Sequence, residues 1–418
     1  MSQVLLIIPP FTQLSSPYPS TSFLSGILNS YGVDNRQIDL GLKTALNFFS
    51  KSGVERLFDE IEKKGLKKDG KAKKFISQKN SYINTIEDVI KFLQGGNDTL
   101  AQRLVRRDFL PENNRFAILK DIDIKKLGLM ESARFIAALY LDDIVDLAKN
   151  TVLPDFNLSS YYEKLAIAAH SFDKIYDQIN IKKDMIWDIS EQILMKEDFS
   201  EINLVCITVP FPGNLYSALK IGRWIKINYP SIKVALGGGY PNTELRSLKE
   251  KRIFEFVDYV CLDDGETPIL SILDLINGKI TSKNLSRTFI LEENEVKLIN
   301  DPQDKYVSRQ TPFIPNYKDL PLSEYFTLYE TTNKMHRLWS TKIFLKLQAA
   351  YGCYHAKCSF CDASLDYIKS YKVNKPELII KQIKSVVEDT GIKAFHFVDE
   401  AIPPYIAKEI AIELIKQN

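Results

Sequence analysis

The chain contains the run Gly352-Cys-Tyr-His-Ala-Lys-Cys-Ser-Phe-Cys-Asp362, in which three of its five cysteines fall within nine residues. Three thiolates at C-x4-C-x2-C spacing can hold three corners of an iron–sulfur cluster from one short loop. No cysteine follows Cys361, so a fourth corner would have no cysteine from this loop. An open metal position of this kind lets a substrate or cofactor bind directly to the metal.

Other interpretations of the three cysteines fit the sequence less well. Plant-type [2Fe–2S] ferredoxins begin with the same spacing, but they require a further cysteine downstream. A structural zinc site could take His355 or His396 as its fourth ligand, but the usual second pair of ligands is missing. Three buried apolar cysteines are a poor match, because the run also contains glycine, lysine and histidine.

The residues around the cysteines predict the order strand, loop, helix, strand, loop, helix. Strands are expected at 342–349 and 394–398, and helices at 375–387 and 406–416. The second strand ends in the acidic pair Asp399-Glu400. In a β/α barrel the functional loops lie at the carboxyl ends of the strands, which is where the cysteines and the acidic pair both fall. The acidic pair fits a polar strand-to-helix turn equally well, because Asp and Glu favour the positive end of a following helix.

The N-terminal part of the chain alternates strands and helices. Strands are expected at 4–8, 34–39, 203–209, 233–236 and 258–262, and helices at 19–31 and 215–228. This alternation predicts a Rossmann-like, doubly wound α/β sheet, which binds ligands outside the carboxyl ends of its strands. The triple glycine after residue 236 also fits a simple tight turn. No G-x-G-x-x-G fingerprint follows the first strand, which counts against NAD or FAD.

The rest of the sequence divides the chain further. Residues 43–199 have helical periodicity, and one apolar face is formed by Phe135, Ile136, Leu139, Tyr140, Ile144, Val145 and Leu147. We therefore expect a Rossmann-like domain at 1–42 and 200–280, a helical insertion at 43–199, a connector at 281–340 and the start of a partial β/α barrel at 341–418. A hairpin around Glu292–Glu295 is expected inside the connector.

Composition indicates an ordinary globular protein. Of the 418 residues 45% are hydrophobic and 26% charged, and the net charge is +2. The first apolar run is too short for a signal peptide and no apolar run is long enough to cross a membrane. Five cysteines without a pairing pattern suit a reducing compartment, so we expect a soluble, cytoplasmic protein. The lysine-rich segment 63–74 lacks interleaved aromatic residues, so we expect a solvated face and no nucleic-acid partner.

Taken in order, these segments resemble the cobalamin-binding radical S-adenosylmethionine (SAM) enzymes. The resemblance rests on the cysteine run, on the glycine-rich and Asp-Gly-Glu strand ends, and on Pro315–Tyr325, which is similar to the connector of that group. The first cysteine spacing is four residues where most members have three. The resemblance implies a [4Fe–4S] cluster on Cys353, Cys358 and Cys361, and SAM contacts from Phe360, Asp399 and Glu400. It implies cobalamin contacts from Thr208, Gly237, Gly238, Gly239, Asp264, Gly265 and Glu266.

The family chemistry follows from the same resemblance. The reduced cluster would donate an electron to SAM, giving methionine and a 5′-deoxyadenosyl radical, followed by methyl transfer or rearrangement of an unidentified small molecule or peptide. The electron would come from a donor such as flavodoxin or ferredoxin. We expect no histidine on the cobalt, because none of the four histidines lies in an Asp-x-His-x-x-Gly motif and His170 fits a helical run.

The part of the chain that follows residue 341 has room for two β/α units, whereas a full eight-unit barrel takes about 250 residues. We therefore expect a truncated barrel, or one completed by another chain, and poor SAM cleavage. The alternative hypothesis is a non-catalytic cobalamin-binding protein with a vestigial radical SAM segment. A third hypothesis, an electron-transfer protein, would require a fully ligated cluster.

Overall fold

The computed structural model describes residues 3–66, 70–156, 172–181, 184–301, 311–326, 343–359, 361 and 364–416. Two residues that the sequence singled out, His170 and Phe360, lie outside these ranges, as does part of the lysine-rich segment.

The largest sheet in the described residues has seven strands. They are β1 (Gln3–Ile8), β2 (Asn35–Asp39), β3 (Ile202–Thr208), β4 (Lys233–Gly237), β5 (Tyr259–Cys261), β6 (Thr288–Glu292) and β7 (Glu295–Ile299). Their spatial order is β2-β1-β3-β4-β5-β6-β7, and the first five are parallel. The order 2-1-3-4-5 is that of flavodoxin-like doubly wound sheets, which bind ligands where the order reverses between β1 and β3. The Rossmann-like prediction agrees with this topology.

The central strand β1 shows why the sheet was visible in the sequence. Its residues Val4 to Ile8 are at most 1% exposed, because helices cover both faces of the sheet. Leu5 and Ile7 pack into the large core shared with the helical insertion, whereas Val4 and Leu6 pack into a smaller core on the other face. The sequence of a strand that is buried on both faces is a continuous apolar run, without the alternation of a half-exposed strand.

The helices beside the sheet are α1 (Pro19–Ser30), α10 (Pro212–Asn228), α11 (Gly239–Glu244) and α12 (Glu266–Ile276). Prolines occupy the first turn of α1 and of α10, where a missing N–H costs nothing. Helix α10 consequently begins three residues before the position predicted from apolar spacing.

Between β2 and β3 the chain is helical. The helices are α2 (Leu40–Phe48), α3 (Lys51–Lys63), α4 (Gly70–Ser77), α5 (Lys79–Leu93), α6 (Leu100–Arg106), α7 (Leu129–Thr151), α8 (Asp173–Ile181) and α9 (Met185–Leu194). The seven apolar residues predicted to share one face, from Phe135 to Leu147, all lie in α7 and are all buried. This segment packs on the sheet as one continuous apolar core.

The hairpin around Glu292–Glu295 belongs to the sheet. Strand β6 pairs antiparallel with β5, with Phe289 opposite Val260, and β7 pairs with β6. The sequence placed this hairpin in the connector, so the boundary drawn at residue 280 falls within the sheet-forming part of the chain. The sequence of a hairpin with one exposed face does not show which other strand of the sheet it will pair with, here β5.

The connector at 311–326 packs against the sheet, and one of its contacts is to the buried carboxyl group of Asp39. The hydroxyl of Tyr325 donates to Asp39 Oδ2 at 2.8 Å, and the N–H of Leu42 donates to Asp39 Oδ1 at 2.8 Å. Burial raises the pKa of Asp39 to about 6. A side chain on Gly26 of α1 would collide with the carbonyl oxygen of Ile314, so the close approach of the connector requires glycine.

A second, smaller unit follows the connector. Its elements are β8 (Leu345–Leu347), β9 (Ala350–Tyr351), α13 (Asp366–Lys369), β10 (Lys372–Val373), α14 (Pro376–Thr390), β11 (Phe395–Phe397) and α15 (Pro404–Lys416). Strands β8 and β11 are parallel, and Leu347 packs with Ile379 of α14 and Ile406 of α15. The predicted order of strand, loop and helix is present here.

Among the described helices, none combines the length and apolar character needed to cross a bilayer.

Candidate functional site

A cavity of about 210 Å³ lies at the carboxyl ends of the parallel strands. Six of the seven residues predicted to contact cobalamin line it, namely Thr208, Gly237, Gly238, Asp264, Gly265 and Glu266. Gly239 does not line the cavity and instead begins α11. The structure thus gathers the strand-end residues at one place, as expected for a doubly wound sheet.

The three glycines differ in what they do. Gly238 has a φ of +114°, and a Cβ there would lie 2.8 Å from the carbonyl oxygen of Val209. A Cβ on Gly239 would lie 2.8 Å from the carbonyl oxygen of Pro210. These two glycines therefore allow the loops that follow β3 and β4 to pack together. This role agrees with the alternative interpretation of the triple glycine as a tight turn. A Cβ on Gly237 would meet nothing closer than 3.8 Å, so this glycine leaves space in the cavity.

Three hydroxyl groups in the cavity wall have no hydrogen-bond partner among the described residues. They belong to Ser20 and Thr21, in the first turn of α1, and to Thr208, at the end of β3. Buried polar atoms in native proteins are normally paired, so unpaired hydroxyls in a cavity indicate a ligand or ordered water. The sequence did not identify Ser20 and Thr21 as site residues. Serine and threonine are common at helix starts, so their presence there does not indicate a ligand site.

The three hydroxyls of this wall could donate to the amide side chains that surround a corrin ring, so the wall fits a corrinoid in its hydrogen-bonding chemistry. The free volume is below the 300–1,000 Å³ of usual ligand pockets, so a ligand of that size would require part of the wall to move.

Arg246 links the rim of the cavity to the second unit through an ion pair on one side and an aromatic contact on the other. Asp263, which lines the cavity with a φ of +60°, pairs with the guanidinium of Arg246. Asn242 holds the same residue from both sides, since its amide donates to the Asp263 carbonyl oxygen and its side-chain oxygen accepts from the Asp263 N–H. The Arg246 guanidinium also lies 5.2 Å from the ring centre of Tyr367 on α13. Neither Arg246 nor Tyr367 was identified from the sequence.

The cysteine loop begins beside the cavity. Gln348 and Tyr351, which immediately precede the loop, form part of the cavity wall. Gly352 then turns the chain with a φ of +69°, and a Cβ there would lie 2.7 Å from the carbonyl oxygen of Ile368. The N–H of Cys353 donates to that same oxygen at 2.9 Å, and β9 pairs with β10. Both ends of the loop are therefore held together next to the cavity.

The three cysteines of the loop, Cys353, Cys358 and Cys361, are free and partly exposed. The N–H of Cys361 donates to the carbonyl oxygen of Cys358 at 3.2 Å, which puts these two residues in one turn. In the part of the chain that the structure describes, no three His, Cys, Asp or Glu side chains converge to hold a metal ion. Metal sites commonly become organised only when the metal binds. The loop suits an iron–sulfur cluster because it presents three accessible thiols and is closed at both ends.

Asp399 holds the chain just before the cysteine loop. Its carboxylate accepts hydrogen bonds from the N–H groups of Ala349, at 3.2 Å, and Ala350. Burial raises the pKa of Asp399, although these two N–H groups act in the opposite direction. The neighbouring Glu400 is exposed. The acidic pair therefore lies on the same side as the cysteine loop, with Asp399 bonded to the backbone and Glu400 facing solvent.

Replacing Asp399 with alanine should leave two N–H groups beside the cysteine loop without an acceptor. We expect the free energy of unfolding of the second unit to fall by about 1–3 kcal/mol, the cost of an unsatisfied buried polar group. Glu400→Ala is the matched control and should change stability little, because Glu400 is exposed. Denaturant titration of both variants measures the difference, and equal stabilities would contradict the anchoring role of Asp399.

Comparison with known proteins gives remote similarities. No protein-family model matches the chain. An uncharacterized methyltransferase of Pyrococcus horikoshii is 22% identical over 246 residues, which are 59% of this chain and 49% of the relative. The chain therefore spans about half the length of the curated relative it matches.

The structural neighbours are cobalamin-dependent radical SAM enzymes. OxsB with aqua-cobalamin bound has a TM-score of 0.41 and 16% identity, covering 57% of this chain and 31% of OxsB. TsrM, a radical SAM methyltransferase from Kitasatospora setae with tryptophan and a SAM analogue bound, has a TM-score of 0.45 and 11% identity, covering 100% of this chain and 51% of TsrM.

Proposed function

We propose that this chain is a cobalamin-dependent radical SAM enzyme or a large part of one. In this proposal a [4Fe–4S] cluster is held by Cys353, Cys358 and Cys361, and cobalamin binds in the cavity at the carboxyl ends of β1, β3, β4 and β5. The second unit is then the beginning of a radical SAM barrel. The substrate is a small molecule or peptide, and the electron comes from a donor such as flavodoxin or ferredoxin.

One observation carries the proposal. The wall of the strand-end cavity includes Gln348 and Tyr351, and the three-cysteine loop begins two residues after Tyr351. A ligand in the cavity would therefore lie beside the loop that binds the cluster. Two ligand sites that share a wall can act on one substrate, whereas a separate electron-transfer module would need no such arrangement.

When bound, the cluster and cobalamin supply the radical cleavage of SAM and the carriage of a methyl group. The protein itself supplies position and shielding. Asp399 fixes the chain at the start of the cysteine loop through the N–H groups of Ala349 and Ala350. Ser20, Thr21 and Thr208 offer hydroxyls to the ligand in the cavity. We assign the SAM ammonium or ribose to Glu400, whose side chain is exposed on the cysteine side, and the adenine to Phe360.

The test is SAM cleavage by protein purified without oxygen, reconstituted with iron and sulfide, and reduced. Formation of 5′-deoxyadenosine or S-adenosylhomocysteine above the level of unreconstituted protein would support the enzyme. Retention of hydroxocobalamin with no SAM product at all would favour the alternative, a non-catalytic cobalamin-binding protein. If neither cobalamin nor SAM is bound, the proposal is wrong.

A further inference from the structure

A buried lysine lies between the two units. Lys346, in the middle of β8, is 6% exposed, and the neighbouring Leu345 and Leu347 point into the cores formed with the following helices. Alternation along the strand places Lys346 and Gln348 on the opposite face, and Gln348 lines the cavity. Lys346 is therefore directed to the same side as the cavity.

The environment of the Lys346 ammonium contains aromatic and neutral groups. Its Nζ lies 5.5 Å from the ring centre of Tyr18, in the segment between β1 and α1. On β11 the residue opposite is His396, and burial, followed by the charge of Lys346, lowers the pKa of that histidine. Tyr317 of the connector bonds to the backbone of Lys346, accepting from its N–H at 3.3 Å and donating to its carbonyl oxygen at 2.9 Å.

Within the described residues, no carboxylate or other hydrogen-bond acceptor pairs with the Lys346 ammonium. Burial lowers its pKa to about 8. An aromatic ring stabilises a nearby cation by about 0.5–2 kcal/mol, whereas burial of an ion costs several kcal/mol. The ring of Tyr18 therefore offsets only part of the cost of burying the Lys346 ammonium. Lysine is rarely buried without a partner, and an anion is the partner that an ammonium takes.

We propose that Lys346 binds an oxyanion of the substrate, a carboxylate or a phosphate, at the edge of the cavity. Both members of the Lys346–Tyr18 pair lie two residues from a residue of the cavity wall, Gln348 and Ser20 respectively. An anion bound there would lie between the cavity and the face of β8 and β11. The assignment to a substrate rests on the proposed function, whereas the anion site itself does not.

The ammonium can be observed directly in protein labelled with ¹³C at the lysine ε-carbon. The Lys346 signal is the one lost in Lys346→Met. We expect it to titrate at lower pH than an ordinary lysine, and acetate or inorganic phosphate should move it and raise its pKa, because a nearby anion favours the charged form. Sodium chloride at equal ionic strength and the signal of exposed Lys126 are the controls. A response to acetate alone identifies a carboxylate site, and a response to phosphate alone identifies a phosphate site.

Two results would overturn the anion site. One is a Lys346 signal that neither acetate nor phosphate moves at millimolar concentrations. The other is a clear loss of stability in Lys346→Met, because an ammonium already paired inside the protein would leave its partner unsatisfied. We expect this variant to unfold at an equal or higher denaturant concentration. Binding of cobalamin and SAM measured on the same samples separates the two proposals, since anion binding without binding of either cofactor keeps the site and removes the enzyme.

Discussion

Replacing Cys353, Cys358 and Cys361 together with alanine should abolish the visible absorption of the [4Fe–4S] cluster in protein reconstituted anaerobically with iron and sulfide. The three thiols are free and partly exposed on one loop that is closed at both ends, so they are the accessible ligands that a cluster requires. Iron content and the absorption spectrum measure the result, and we expect bound iron to fall to the level of the unreconstituted protein.

The other two cysteines provide the matched control. Cys206 and Cys261 lie on β3 and β5 and are 7% and 4% exposed. Burial raises the pKa of Cys261 to about 12 and also raises that of Cys206 well above its usual value, so both thiols remain protonated and are poor metal ligands. Replacing both with alanine should leave the cluster spectrum intact. Stoichiometric zinc without iron in protein made with ample iron would contradict the iron–sulfur assignment.

Gly237→Leu should weaken the binding of cobalamin. The Cβ of residue 237 has room, since its nearest neighbour would be Cys261 at 3.8 Å, and a leucine side chain there would occupy the cavity. Overfilling a packed site costs about 1–3 kcal/mol, so we expect binding to weaken by about 5- to 150-fold. Equilibrium dialysis with hydroxocobalamin measures the change.

Two neighbouring variants make this experiment specific. Gly237→Ala adds a single methyl group at ordinary contact distance and should retain the ligand. Gly238→Ala should instead destabilise the fold, because Gly238 has a positive φ and lies against the backbone of Val209. Unchanged cobalamin binding by a folded Gly237→Leu protein would show that the ligand does not enter this cavity.

The sequence predicted the parts of the fold that depend on local pattern. Strand β1 and helix α7 were correctly located because an apolar run or an apolar face is a property of neighbouring residues. The partner strand of the β6–β7 hairpin depends on contacts between distant residues, and the hairpin was therefore assigned to the connector. The same distinction between local pattern and long-range packing applies to the candidate site.

Cysteine spacing and strand ends indicated which residues gather at the site. The sequence carried no signal that Ser20, Thr21 and Lys346 have no side-chain hydrogen-bond partner among the described residues, because hydrogen-bond pairing is decided by packing. It also could not distinguish the role of Gly237 from that of Gly238, which differ in backbone φ and in what a side chain would meet.

The contact between Asp39 and Tyr325 makes attachment of the connector responsive to proton concentration. The pKa of Asp39 is about 6 in the folded protein and 3.8 for the unperturbed group, so folding takes up a proton between these values. The resulting stabilisation is fully present below about pH 4 and is lost as the pH rises through 6. Near neutrality a buried, ionised carboxylate is held by Tyr325 and the N–H of Leu42. Mild acidification should therefore stabilise the folded state, because the buried carboxyl becomes neutral, while it weakens the hydrogen bond from Tyr325, which favours the ionised form of Asp39.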